Sequence, residues 1–335
     1  MKYVTVFASF LILAGCGHEP PTAPASKGVG SITRVSQELD GIVPTNAIIE
    51  KIAGGFSFTE GPLWRDDGHL WFSDVTANVL RSITPGGEVK VLLEKAGGES
   101  DAPAGSFIGP NGMVATVEGL VLLCQHTNRR IVQIDRDMKQ TVLIDKFEGK
   151  RLNSPNDLVY KSDGSLYFTD PPYGLLKQDD DPAKELKFNG VFRYKDGKLT
   201  LLVKDLARPN GIALSPDGKI LYVSNSDEKQ KIWMRYALAD DGTVSNGRIF
   251  ASAMISEEPG VPDGMKVDSQ GNVYGAGPGG VWVFSPAGIH LGIIKTPETP
   301  SNVGWGDDGK SLYITATTGI YRVKLSVSGE KPLYQ

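Results

Sequence analysis

Five oxygen-bearing side chains recur in one local frame along the sequence: Glu60, Asn111, Asn156, Asn210 and Asp263. Each stands before a short apolar run, and eight residues after each comes a turn glycine, at Gly68, Gly119, Gly164, Gly218 and Gly271. Two carboxylates and three amides form an all-oxygen set, which suits a hard cation such as Ca²⁺ better than Zn²⁺. The four histidines are scattered and show no zinc-type spacing with cysteine. Asn or Asp before Gly is also favoured in tight turns, where the side chain bonds its own backbone. Glu60 is no turn former of that kind. The common register therefore points to side chains that converge on one place.

The elements that must bring them together are repeated hairpins. The stretch Leu152 to Asp170 reads as a polar turn, a short apolar strand, an Asp163-Gly164 turn and a second strand rich in aromatic and β-branched residues. Copies begin at Thr59-Glu60-Gly61, Pro110-Asn111-Gly112, Pro209-Asn210-Gly211 and Pro262-Asp263-Gly264. A sixth begins at Pro300-Ser301-Asn302, but its turn glycine puts Ser301 rather than Asn302 in register, so Asn302 is left out of the set. Spacings run from 39 residues (Asp263 to Asn302) to 54 (Asn156 to Asn210), the length of four-stranded propeller blades. The expected fold is all-β, a six-bladed β-propeller. The last blade runs short of chain, so the segment Ala47 to Ile52 is expected to supply its outer strand and close the ring.

In such a ring the first strand of each blade lines the central channel, and the residue before it reaches the channel mouth. The second strands end near Asp74, His126, Asp170 and Asn225 on the same face, where Asp74, Asp170 and Asn225 are expected to hold or polarise the ring side chains. Two insertions, Gly97 to Gly109 and Pro171 to Gly190, fall on that face as loops and are expected to form a rim or lid.

Composition agrees with this architecture. The 335 residues include 40 Gly and 21 Pro between short apolar runs, at 40% apolar content, as in a turn-rich β protein. A net charge of -4 leaves no basic footprint, so nucleic acid is not an expected partner. At the N-terminus, Lys2 precedes an apolar run from Tyr3 to Ala14 that is too short to span a bilayer as a mature helix. It ends in Leu13-Ala14-Gly15-Cys16, followed by a Pro-rich polar stretch. This looks like a bacterial lipoprotein signal: residues 1–15 are removed, Cys16 carries the lipid, 16–43 form a flexible tether, and the propeller occupies 44–328. The protein is then exported and anchored to a bacterial membrane, facing the periplasm or cell surface. Cys124 would be the remaining thiol, so no intrachain disulfide forms.

The same residues carry a resemblance. FTEGPLW, LNSPNDLVYKSDGSLYFTDPPYGL, ARPNGIALSPDGKILYVSN and VPDGMKVDSQGNVY resemble the SMP-30/gluconolactonase/LRE family, bacterial gluconolactonases in particular, over roughly Phe58 to Val323. The resemblance implies a calcium-dependent propeller that opens lactones, with Zn²⁺, Mn²⁺ or Mg²⁺ as alternative metals. It carries the metal ligands onto Glu60, Asn156, Asn210 and Asp263, and the general base onto Asp263. The animal branch has an arginine two residues before its first asparagine ligand; here that position is Ser154. Asn111, His126, Arg129 and Tyr173 are then the candidate substrate contacts. The cation would polarise the lactone carbonyl while Asp263 helps deprotonate water. Two other readings remain: an organophosphorus ester cleaved at the same site, and a non-catalytic ligand-binding propeller whose metal is structural.

Overall fold

Alternating apolar residues and frequent Gly/Asn/Asp turns produce short antiparallel strands that must bury both faces. The computed structural model, which describes residues 28–329, satisfies this with six blades around a channel, five of four strands and one of five. The first four blades run in chain order from inner to outer strand, and their inner strands are Thr59–Trp64, Pro110–Ala115, Leu158–Tyr160 and Pro209–Leu214. Blades five and six start at Met265–Val267 and Pro300–Gly306. Neighbouring inner strands touch all the way round, and the sixth meets the first. Among the described residues there is no α-helix, only the 3-10 turns Gln37–Gly41 and Gln178–Asp180.

Closure follows the expected plan with a two-residue offset. The strand Ile49–Gly54 pairs antiparallel with Gly319–Lys324 and completes blade six. Six apolar clusters fill the wedges between adjacent blades. One joins Phe168 and Phe192 of blade three to Leu122 and Ile131 of blade two; another joins Trp233 of blade four to Phe284 of blade five. Each fully buried aromatic or Leu contributes about 2–3 kcal/mol relative to exposure.

The tether boundary is corrected. Residues 28–43 belong to the domain, because Ser31–Arg34 adds a fifth strand to blade five by pairing with Gly292–Lys295. The segment behind it is equally fixed: Leu39 and Val43 are fully buried with Leu291 and Ile294, and Arg34 bonds Asp40 and the carbonyls of Val43 and Pro44. The signal region, Cys16 and the tether as far as residue 27 lie outside the described residues.

Candidate active site

The ring positions are delivered by a bulge. In blades one, two and four the inner strand slips against its neighbour at Glu60/Leu63, Pro110/Met113 and Pro209/Ile212. An extra residue there turns the side chain out of the ladder and into the channel mouth. The following glycines are needed for close approach. A Cβ on Gly61 would lie 2.3 Å from the Asn111 carbonyl oxygen, and one on Gly211 would lie 2.2 Å from that of Asp263.

All five expected ring residues line one cavity of about 290 Å³, together with Phe58, Phe107, His126, Tyr173, Gln178, Ser226, Glu228 and Val261. Their side chains are linked in series. Asn111 Nδ2 donates to Asn156 Oδ1 (2.7 Å), and Asn156 Nδ2 donates to Asn210 Oδ1 (2.5 Å); Asn210 in turn hydrogen-bonds Asp263. Glu60 Oε2 accepts from Gly61 N (2.8 Å) and from Asn302 Nδ2 (2.9 Å). In blade six Pro300 pairs with Ala316 as Pro110 does with Gln125 and Pro209 with Asn225, which sets Ser301 in the frame of Asn111 and Asn210. Ser301 occupies the ring position and donates to the Thr59 carbonyl (2.6 Å), while Asn302 supports Glu60 from the layer beneath.

Electrostatics single out the two acids. Burial, with the charge of Asp157 adding to it, raises the Glu60 carboxyl to about 7. Asp263 is raised well above the carboxylate range by burial, then by Glu60 and Asp157. Asp157 was not anticipated. It follows Asn156 directly and occupies the layer that is glycine in Gly61, Gly112, Gly211 and Gly264, so a search for repeated polar positions passes over it. Its Oδ1 accepts from Leu158 N (2.8 Å), and its Oδ2 has no partner.

Two further buried oxygens, Asp263 Oδ1 and Asn111 Oδ1, also lack a hydrogen-bond partner. Orphaned acceptors beside two buried carboxyls are what a cation would satisfy. Among the described residues no three His, Cys, Asp or Glu side chains group as metal ligands. A cation here must therefore take amide oxygens, and the second lone pairs of Asn156 Oδ1 and Asn210 Oδ1 can supply them. Glu60, Asn156, Asn210 and Asp263 fit a hard divalent ion.

His126 and Asn111 are both at the cavity. His126 Nδ1 donates to the Phe107 carbonyl (3.1 Å), so its Nε2 accepts from Asn111 Nδ2 (3.2 Å). Burial lowers its pKa to about 4, so the ring is neutral. Tyr173 also reaches the site, and its hydroxyl interacts with Asn210 and Ser226. Arg129 does not. It is buried away from the cavity, donating Nε to the Leu152 and Asn153 carbonyls (2.7 and 3.0 Å) and Nη1 to that of Ala183 (2.7 Å). Its Nη2 has no partner, and Arg129 is not among the residues that line the cavity.

The residues at the second-strand ends act one step further back than expected. Asp74 Oδ1 accepts from Ser57 N and Phe58 N (2.9 and 3.1 Å), and Asp170 from Asn153 N and Ser154 N (both 2.8 Å). Asn225 Oδ1 accepts from Arg208 N (2.8 Å). Each fixes the backbone two or three residues before a ring position and leaves the ring side chain itself alone. The residue before the acid does related work across blades: Ser73 Oγ donates to the Asn111 carbonyl (2.6 Å) and Thr169 Oγ1 to that of Asn210 (2.7 Å). The repeated FSD and FTD tripeptides carried that signal in the sequence.

Comparison with known proteins agrees with this geometry. The pattern described as SMP-30/Gluconolactonase/LRE-like region matches residues 58–318. A gluconolactonase of Zymomonas mobilis subsp. mobilis is 41% identical over 313 residues, covering 90% of this chain and 88% of the relative. A gluconolactonase structure from Xanthomonas campestris superposes with a TM-score of 0.78 at 31% identity, covering 90% of this chain and 98% of that one. Diisopropyl-fluorophosphatase of Loligo vulgaris is more distant, 24% identical over 85% of this chain and 94% of its own length. Ring, blades and sequence pattern agree, and the chain belongs to the SMP-30/gluconolactonase/LRE-like family.

Proposed function

We propose that the chain hydrolyses a sugar lactone, in the manner of a gluconolactonase, at a divalent-cation site on the channel mouth. The observation that carries this is the pair of partnerless buried oxygens, Asp263 Oδ1 and Asn111 Oδ1, in a cavity shared with Glu60. The relatives named gluconolactonase support the substrate class. Glu60, Asn156, Asn210 and Asp263 would hold the ion. Bound Ca²⁺, or Zn²⁺, Mn²⁺ or Mg²⁺ in its place, would offset the two acidic charges and polarise the lactone carbonyl.

The chain's own groups do the rest. Asp263 takes a proton from the attacking water as the water oxygen bonds to the carbonyl carbon. The ring C–O bond then breaks and the proton passes to the departing oxygen, leaving a hydroxy acid. Neutral His126 holds the Asn111 amide in orientation, and Asn111 and Tyr173 bind substrate oxygens. Phe58, Phe107 and Val261 limit water in the cavity. The test is proton release from glucono-1,5-lactone above the spontaneous rate. Release indistinguishable from buffer across a panel of aldonolactones would rule the reading out.

A fluorophosphate ester is the second reading, favoured only by the distant squid relative. In the same assay it should turn over at least tenfold less well than the lactone. We further infer that the protein is exported and lipid-anchored through Cys16, on the strength of the apolar run and the Leu13-Ala14-Gly15-Cys16 boundary.

A further inference from the structure

We propose that Ser154 is a positioning residue that fixes Tyr173 as a rigid wall of the cavity, and that this wall restricts the site to compact, single-ring, hydroxyl-bearing lactones. The proposal rests on the lactone reading above and adds which lactones are accepted and which residue enforces the choice.

Ser154 is fully buried, and its own N–H is held by Asp170 Oδ1 at 2.8 Å. Its hydroxyl is used in both directions. Oγ donates to the Pro171 carbonyl (2.7 Å) and accepts from Gly174 N (2.9 Å), closing the corner Pro171-Pro172-Tyr173-Gly174 around a single atom. Two consecutive prolines restrict the same corner by their fixed φ. Gly174 is packed so closely that an added Cβ would lie 2.8 Å from the Cβ atoms of His126 and Ser154. The residue after Tyr173 is thus set against His126, a residue of the site itself.

The far side of the segment is tied as well. Asp179 pairs with Arg208 and accepts from Asn189 Nδ2 (3.1 Å), while Arg129 holds the Ala183 carbonyl (2.7 Å). A loop fastened at both flanks behaves as a wall, not as a lid that opens by hinge motion. From this mount the Tyr173 hydroxyl reaches Asn210 and Ser226 on the neighbouring blade four. The cavity volume, about 290 Å³, is at the small end for ligand sites. A six-carbon lactone can offer hydroxyls to Tyr173, Gln178, Ser226 and Asn111. A long alkyl substituent would have to displace Tyr173.

The experiment compares kcat and KM for glucono-1,5-lactone and for a δ-lactone bearing a five-carbon alkyl chain. It uses the full chain, Ser154→Ala, Tyr173→Ala and the double variant. In Ser154→Ala two buried backbone groups lose their partner, and the expected result is about a tenfold rise in KM for the sugar lactone with kcat within about threefold. The preference for sugar over alkyl lactone should fall about tenfold in either single variant, and no further in the double, since Ser154 acts through Tyr173. An unchanged preference in Ser154→Ala, or effects of the two substitutions that add in full, would overturn the proposal. Hydrogen exchange at residues 171–176, read without substrate, tests the positioning half separately: faster exchange in Ser154→Ala supports it, and unchanged protection contradicts it. A parent protein inactive on both lactones would instead remove the lactone reading on which the substrate preference stands.

Discussion

Asp263 is made harder to ionise by burial and then by the Glu60 and Asp157 charges, and Glu60 by burial and then by Asp157, and that cost is the chemical mark of the site. Asp263→Asn removes one buried charge together with the proposed proton acceptor. It should lower kcat/KM by about 10²–10⁴-fold, while the metal-free melting temperature stays level or rises because the repulsion is gone. Steady-state kinetics and calorimetry on the same preparation check both halves. At this scale the sequence was most legible where a residue repeats. Glu60, Asn111, Asn156, Asn210 and Asp263 were found by register, and they line one cavity. Asp157 was missed because the other blades place Gly or Asn at that depth, so no repeat announces it. Arg129 lies off the cavity because its bonds go to the carbonyls of Leu152, Asn153 and Ala183, backbone groups that leave no trace in side-chain spacing.

Among the elements, the closing strand is held through one carboxylate. Glu298 accepts from Lys51 Nζ (2.8 Å), Thr318 N (2.7 Å), Thr318 Oγ1 (2.6 Å) and Tyr321 OH (2.5 Å), which clamps Ile49–Gly54 onto blade six. Burial would raise its pKa, but these hydrogen bonds outweigh it and hold the group at about 2, against an ordinary value of 4.5. The sign follows from linkage: a carboxyl depressed in the folded state stabilises fully above pH 4.5, and that contribution is lost as pH falls towards 2. Glu298→Gln should therefore cost about 1–3 kcal/mol at neutral pH. The gap from the parent should narrow steadily in urea titrations between pH 4.5 and 2. A constant gap across that window would show that the clamp is not ionic. Hairpins with Asp-Gly turns were easy to place from sequence, since turn and alternation agree. The strand Ser31–Arg34 was not, because four residues inside a Gly- and Ser-rich stretch match linker composition as well as they match an edge strand.

At the scale of the whole molecule, the N-terminal segment fastens two blades. Ser31–Arg34 edges blade five and Ile49–Gly54 completes blade six, so removing residues 28–43 should strip the cover from Leu291 and Ile294 and lower stability by several kcal/mol. Thermal unfolding of the truncated chain reads this, and an unchanged midpoint would mean the segment only decorates the ring. Residues upstream of 28 carry the export expectation instead. Cys16→Ala should move the protein from the membrane to the soluble fraction with lactone turnover unchanged. Persistent membrane association would argue against lipidation at that cysteine. The number of blades was legible because turn glycines keep count through six repeats. The depth of the channel and its second polar layer were not, because they arise only when the inner strands meet around the axis.

The account depends most directly on the channel mouth holding a divalent ion. Calorimetric titration of chelator-treated protein with Ca²⁺ should give saturable binding, one ion at the ring. Proton release from glucono-1,5-lactone should vanish with the chelator and return along the same isotherm, with both signals abolished in Asp263→Asn. Full lactone turnover in protein shown to be metal-free would contradict it.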